Sequence, residues 1–219
     1  MEPIAQGRDA VVYALDGGER VLRRYRAPGP TGDEARLMGH LAEGGFPVPR
    51  VYETTDTDMV LERLNGPTMV EAIVRHPERA EQYGRILGEL HDRLHEFAAP
   101  PWLAAVPAEG VAGNRILHLD FHPANVIVTA GGPFVIDWRN ARAGDPALDL
   151  ALTTVIVRYA DLPEHVVSLP REPFISALHA ASRTDPAPRM AMAVRARLRD
   201  PNLSAAEAER LRGLGPRPE

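Results

Sequence analysis

Two short stretches carry the residues best suited to chemistry: His118-Leu119-Asp120-Phe121-His122-Pro123-Ala124-Asn125-Val126, and Phe134-Val135-Ile136-Asp137-Trp138. An H-x-D-x-x-x-x-N loop between short strands can aim the Asp120 carboxylate at a substrate hydroxyl while Asn125 reaches a metal. Asp137, at the end of the next strand, supplies another oxygen ligand. Two oxygen ligands together with phosphates suit magnesium. Asp and Asn often do no more than close turns, so neither Asp120 nor Asn125 is informative alone; their combination is. His118 reads as an internal brace for the loop backbone, and His122 stays open between brace and proton carrier. A different chemistry takes His118, Asp120 and His122 as a metal triad for hydrolysis, with Asp137 as a further ligand. That reading leaves Asn125 and the whole N-terminal part of the chain without a role.

Such loops need elements to hold them. Ala10 to Leu15 and Val21 to Tyr25 flank Asp16-Gly17-Gly18 and read as a hairpin. Asp33 to Leu41 places Leu37, Met38 and Leu41 at helical spacing, and Gly44-Gly45 stops the helix. Val48 to Tyr52 and Met59 to Glu62 read as two more strands around a polar turn. After Asn65-Gly66-Pro67 the patterning turns helical, which places a lobe boundary between residues 64 and 65. Tyr83, Ile86, Leu87, Leu90, Leu94 and Phe97 form the apolar stripe of a core-facing helix that ends before Pro100-Pro101. His91 and His95 lie on or beside that stripe and read as packing and surface residues, because no zincin-type Glu follows His91. Ile116 to His118, Val126 to Val128 and Phe134 to Ile136 are short strands. Helices are expected over 148–159, 173–181, 190–198 and 205–211, the last opened by a capping box of Ser204 and Glu207.

Composition bounds the alternatives. A chain of 219 residues with 44% hydrophobic and 25% charged residues suits one soluble domain built of two lobes. Without cysteine there is no disulfide scaffold, thiol nucleophile or Cys-ligated zinc. The formal net charge of -5 gives no overall electrostatic grip on nucleic acid or an anionic membrane. No stretch is apolar and long enough to span a bilayer, and Met1-Glu2-Pro3 lacks a signal pattern, so the expected compartment is the cytoplasm.

The wording H-x-D-F-H-P-x-N-V with I-D-W resembles the aminoglycoside phosphotransferase and choline kinase branch of the protein-kinase-like superfamily. Gly144-Asp145-Pro146-Ala147-Leu148-Asp149-Leu150-Ala151 is similar to a segment that opens a helix beneath the active site in that branch. Asp145 and Asp149 read as structural residues that hold the catalytic loop or cap the helix rather than touch ligand, because helix starts favour acidic residues. The resemblance, from about Ile4 to about Ala160, implies an α+β fold: a small N-terminal lobe with an antiparallel sheet (1–64) and a larger, mainly helical lobe (65–219), with a cleft between them. It implies Mg2+ and ATP, or GTP, as cofactors, with Asp120 as catalytic base and Asn125 and Asp137 as metal ligands. Gln6-Gly7-Arg8-Asp9 stands where the phosphate-covering loop would be, with Gly7 its single glycine. Val21-Leu22-Arg23 stands where the kinase strand carries a phosphate-pairing lysine, and Glu34 is the expected helix partner of Arg23. Strand alternation puts Arg23 and Arg24 on opposite faces, so only one of them enters the cleft. Leu61 to Gly66 resembles the hinge, where the Glu62 carbonyl and the Leu64 amide would read the base.

Three functions follow. The first is γ-phosphoryl transfer to a hydroxyl of a small molecule such as an antibiotic, sugar or amino alcohol. The second is a pseudokinase-like nucleotide-binding module, prompted by arginine at position 23. The third is the metal-dependent hydrolase already described. Arg189, Arg195, Arg197 and Arg199 make the C-terminal region basic, which argues against a polycationic acceptor. Oligomeric state is not legible.

Overall fold

The computed structural model describes residues 3–7, 9–29, 31–107, 113–161, 169–201 and 203–214. In chain order the strands are β1 (Pro3–Gln6), β2 (Ala10–Leu15), β3 (Arg20–Tyr25), β4 (Val51–Thr54), β5 (Asp58–Glu62), β6 (Arg115–Leu117), β7 (Val126–Thr129), β8 (Gly132–Val135) and β9 (Arg142–Gly144). The helices are α1 (Thr31–Glu43), α2 (Met69–Arg75), α3 (Ala80–Leu94), α4 (Pro146–Tyr159), α5 (Arg171–Ala181), α6 (Met190–Leu198) and α7 (Ala205–Arg212). They group into two compact units, Met1–Pro67 with Val126–Ala141, and Thr68–Asn125 with Arg142–Glu219.

The first unit is built on an antiparallel sheet of order β1-β2-β3-β5-β4. Strand β1 is short and exposed throughout, so no apolar alternation announces it. Strand β4 begins at Val51 rather than Val48, because Pro49 has no N–H to give to a ladder. Helix α1 buries Leu37, Met38 and Leu41. It ends where Gly45 turns to φ 79° and the Phe46 N–H donates back to the Leu41 carbonyl at 2.9 Å. The β7–β8 hairpin and the residues after it belong to this unit, although hydrophobic patterning alone would leave them with the helical region that surrounds them in sequence. The Val128 N–H donates to the Pro67 carbonyl and the Val135 N–H to the Pro47 carbonyl, both at 2.8 Å. Trp138 is buried edge-on against Phe46, with ring centroids 5.7 Å apart. Gly66 is what permits the first of these contacts, since a Cβ there would stand 2.1 Å from the Val128 carbonyl oxygen.

The second unit is helical around α4, whose residues from Ala147 to Val157 are all buried. Helix α2 opens with a complete capping box between Thr68 and Glu71. The α7 box is only half made. Ser204 caps the Glu207 N–H, but the Glu207 carboxylate turns to Arg197 instead of the cap backbone. The two-stranded ladder of β6 with β9 pairs Ile116 with Ala143. Its second strand, Arg142-Ala143-Gly144, carries no apolar run and is invisible to patterning.

Helices α3 and α5 approach closely because small residues face the contact. A Cβ on Gly84 would lie 2.3 Å from the Phe174 carbonyl oxygen. Helix propensity favours Gly84→Ala by about 1 kcal/mol, but the forced separation of the helices costs about 1–3 kcal/mol and should win. Urea unfolding should therefore show a loss of stability in Gly84→Ala. A variant more stable than the parent would mean that the helices are not packed this closely.

Candidate active site

In the first unit, register places Arg23 opposite Val12 and Met59, and its guanidinium bridges two carboxylates. It donates to Glu34 Oε1 at 3.1 Å and to Asp137 Oδ1 at 2.6 Å. Burial opposes the charge, but Asp137 and then Glu34 more than compensate, and the Arg23 pKa is raised. Glu34 is buried and fully bonded: Oε1 also accepts the Trp138 N–H at 3.1 Å, and Oε2 accepts the Tyr25 hydroxyl at 2.5 Å. Burial, followed by the Glu34 charge, pushes the Tyr25 phenol upward, so it remains a donor. Asp137 sits in the left-handed region at φ 69°, a costly conformation that turns the chain sharply at the end of β8. Arg24, on the opposite face, forms an exposed two-pronged pair with Asp58. Strand alternation thus resolves the choice between the two arginines: Arg23 is the one brought to Glu34 and Asp137.

In the second unit the loop after β6 is pinned from below by Asp149 of α4. Its Oδ2 accepts the His118 N–H at 3.0 Å and its Oδ1 the Leu119 N–H at 2.7 Å. Leu119 is held at φ 63°, a second left-handed non-glycine residue, and the next residue is Asp120. The Asp120 N–H donates to His118 Nδ1 at 3.3 Å, so His118 braces the backbone. The Asp120 carboxylate receives the Asn125 amide on Oδ2 at 3.1 Å and lies 3.2 Å from His122 Nε2 through Oδ1. The Asn125 amide also donates to the Asp120 carbonyl at 2.9 Å, which leaves the Asn125 side-chain oxygen as its acceptor atom. Burial alone would raise the Asp120 pKa. The hydrogen bond from His122, reinforced by the electrostatics of His122, His118 and Arg197, brings it down to about 2, so the group is ionised at neutral pH.

Beneath this loop lie His91, His95 and Asp149, whose nearest ligand-type atoms fall within 4.8 Å of one another. Their bonds make them a brace. His95 Nε2 contacts Asp149 Oδ2 at 3.1 Å, and Asp149 already receives the two loop amides. His91 Nε2 lies 3.1 Å from the Thr153 hydroxyl, which donates onward to the Phe121 carbonyl at 2.8 Å. The imidazole is therefore the donor there, and His91 Nδ1 is left without a hydrogen bond, 3.9 Å from Asp149 Oδ2. Burial, with help from His95 and His118 and against Asp149, lowers the His91 pKa to about 3. The unfolded chain takes up this proton near pH 6.5 and the folded chain only near pH 3. Stability should thus fall as pH drops through that window, by about 2 kcal/mol near pH 5. Thermal melts near pH 7 and pH 5 should show a smaller drop in His91→Phe than in the parent. Equal drops would mean that His91 is not buried as the neutral form.

Other residues singled out by sequence are placed as follows. The Gly7 N–H is used inside its own turn, donating to the Ala10 carbonyl at 2.9 Å, and a Cβ at Gly7 would meet only that oxygen, at 3.6 Å. The turn therefore has room for a side chain there. Arg8 lies outside the described residues. Glu62 ends β5 and its side chain accepts the Arg50 N–H at 3.1 Å; Leu64 follows in the connection to α2. The group of converging metal-ligand atoms found among the described residues is His91, His95 and Asp149, not His118, Asp120 and His122. Two of the four arginines in the basic C-terminal region are engaged in ion pairs. Arg189 pairs with Asp145 at 2.8 Å, and Arg197 with Glu207 at 2.7 Å and Asp200 at 2.8 Å. Asp145 is distant in sequence from Arg189, whereas Asp200 and Glu207 lie near Arg197, and these pairs remove part of the charge behind the sequence argument against a cationic acceptor. Patterning alone gave no sign that Tyr25 and Trp138 complete the Glu34 site; only their places in the fold show it.

A sheet-bearing unit with a buried Arg–Glu pair and a helical unit with a strained, Asp-pinned H-x-D loop define a protein-kinase-like α+β fold. In fold the chain is similar to a thermostable mutant of aminoglycoside phosphotransferase APH(4)-Ia solved with AMP-PNP and hygromycin B. The TM-score is 0.67 at 15% identity, over 97% of this chain and 90% of that one. Residues 1–109 and 101–194 match the phosphotransferase enzyme family, and the chain belongs to it. It is 28% identical over 145 residues to a probable bifunctional tRNA threonylcarbamoyladenosine biosynthesis protein of Methanospirillum hungatei, over 61% of this chain and 24% of the relative. Streptomycin 6-kinase of Streptomyces griseus is 27% identical over 154 residues, 53% of this chain and 48% of that one. The chain thus spans about a quarter of the first relative and half of the second. Among the described residues, no helix is long and apolar enough to cross a membrane.

Proposed function

We propose that the chain transfers the γ-phosphoryl group of magnesium-ATP to a hydroxyl of a small molecule. The observation that carries this reading is the ionised Asp120 carboxylate, presented by a strained loop and bonded to Asn125 on one side. The acceptor oxygen forms a bond to the γ-phosphorus as the bond from that phosphorus to the β,γ-bridging oxygen breaks. ADP leaves, and the hydroxyl proton passes to Asp120. A carboxylate with so low a pKa accepts that proton late, so its main work is to orient the hydroxyl. Asn125, through its side-chain oxygen, and Asp137 are the proposed magnesium ligands, and bound magnesium would neutralise developing charge on the phosphates. Arg23 supplies a fixed cation for the phosphates, with the Gly7 turn covering them and the backbone at Glu62 and Leu64 reading the base. The donor set is all oxygen, which fits magnesium.

The test is a panel of hydroxyl-bearing compounds assayed for ATP consumption, with each hit checked by mass spectrometry for the gain of one phosphoryl group. Likeness to probable bifunctional tRNA threonylcarbamoyladenosine biosynthesis proteins favours one second reading, a part in tRNA modification rather than phosphorylation of a small molecule. Under that reading no compound in the panel gains mass.

A further inference from the structure

We infer that His122 is a positioning residue for Asp120: its ring, held by the Ala124 N–H at Nδ1, turns Nε2–H to Asp120 Oδ1 and fixes the rotation of the carboxylate. The inference rests on the proposed phosphotransfer and concerns how its base is held.

Two contacts lock the ring. The Ala124 N–H lies 3.3 Å from His122 Nδ1, so this nitrogen must present its lone pair and the ring proton must sit on Nε2. Nε2 lies 3.2 Å from Asp120 Oδ1. The Asn125 amide nitrogen also comes within 3.5 Å of Nε2, but its two protons are spent on the Asp120 carbonyl and Oδ2, so it does not claim the Nε2 lone pair. The backbone enforces the same arrangement. The His122 N–H donates to the Asp120 carbonyl at 3.0 Å, and the His122 carbonyl accepts the Asn125 N–H at 2.9 Å as the chain enters the Pro123–Asn125 turn. Each Asp120 oxygen therefore receives one protein donor, Oδ1 from His122 and Oδ2 from Asn125. The carboxylate cannot rotate without breaking both, while a lone pair on each oxygen remains for an acceptor hydroxyl. Pro123 stiffens the step between the histidine and its Ala124 partner. Both side chains keep some exposure, as a group that meets substrate must: 23% for His122 and 28% for Asp120.

Two variants separate this role from simple packing. His122→Gln keeps an N–H donor at the reach of Nε2, whereas His122→Phe keeps the ring volume and removes the donor. With magnesium-ATP alone as probe and phosphate release as readout, His122→Phe should lower the maximal rate about tenfold with the KM for ATP unchanged. His122→Gln should stay within about threefold of the parent. If both variants lose the same activity and the same thermal stability, His122 is only a packing residue and the inference fails. It also fails if His122→Phe keeps the parent rate. Asp120→Asn, run alongside, distinguishes the two levels. Full activity in that variant overturns the base assignment itself, whereas loss there with none in His122→Phe overturns only the positioning role. Nitrogen-15 spectra of the full chain provide a readout without turnover. They should show His122 with a protonated Nε2 and an unprotonated Nδ1; the opposite tautomer would overturn the inference even in a chain that proves inactive.

Discussion

Asp120→Asn should lower turnover about a hundredfold or more while leaving ATP affinity nearly unchanged. The substitution keeps the size of the side chain but removes the charge that draws and finally accepts the hydroxyl proton. It also puts an amide where His122 and Asn125 now donate to two carboxylate oxygens, so one of those contacts becomes donor against donor. Folding should survive, because the loop is held by Asp149 through the amides of His118 and Leu119 and not by the Asp120 side chain. Nucleotide contacts are assigned to Arg23, the connection after β5 and the metal ligands. A binding titration beside a turnover assay therefore separates the two effects. Parent-level phosphorylation of an acceptor by this variant would remove Asp120 from the mechanism.

Arg23→Ala should be the second large effect, and unlike the first it should reach stability as well. Arg23 neutralises Glu34, which is buried, and is the cation assigned to the phosphates. After its removal Glu34 keeps the Trp138 N–H and the Tyr25 hydroxyl but has no charge partner, a loss on the order of 3 kcal/mol. Turnover should fall about a hundredfold or more with the loss of a fixed charge at the phosphates. Arg23→Lys is the informative companion. An ammonium restores the charge but not the fork that spans Glu34 and Asp137, so it should recover stability more fully than rate. Denaturant unfolding and steady-state kinetics on the two variants decide the matter. Faster turnover in Arg23→Ala would mean that the arginine restrains Asp137 rather than serving the phosphates.

Much of this was legible in the sequence because it depends on spacing. The four positions between Asp120 and Asn125 span one loop, and strand alternation separates Arg23 from Arg24. The α1 and α3 stripes mark their buried faces by helical period. What escaped depends on contacts between segments distant in sequence. The β7–β8 hairpin joins the first unit through backbone bonds to Pro47 and Pro67, which no hydrophobic pattern encodes. Strands β1 and β9 are short and lack apolar alternation, so patterning could not place them. The pairing of Arg189 with Asp145 escaped for the same reason, since 44 residues separate them.

The central claim is that a γ-phosphoryl group passes from ATP to an acceptor hydroxyl, and isotope labelling tests it most directly. ATP carrying oxygen-18 in the terminal oxygens of its γ-phosphate is turned over with magnesium, the full chain and an unlabelled hydroxyl compound from the panel. The account predicts an acceptor phosphomonoester that retains those labelled oxygens and takes its ester oxygen from the acceptor, with ADP as the other product. Labelled inorganic phosphate as the only phosphorus product besides ADP, with the acceptor unchanged across the panel, would contradict it.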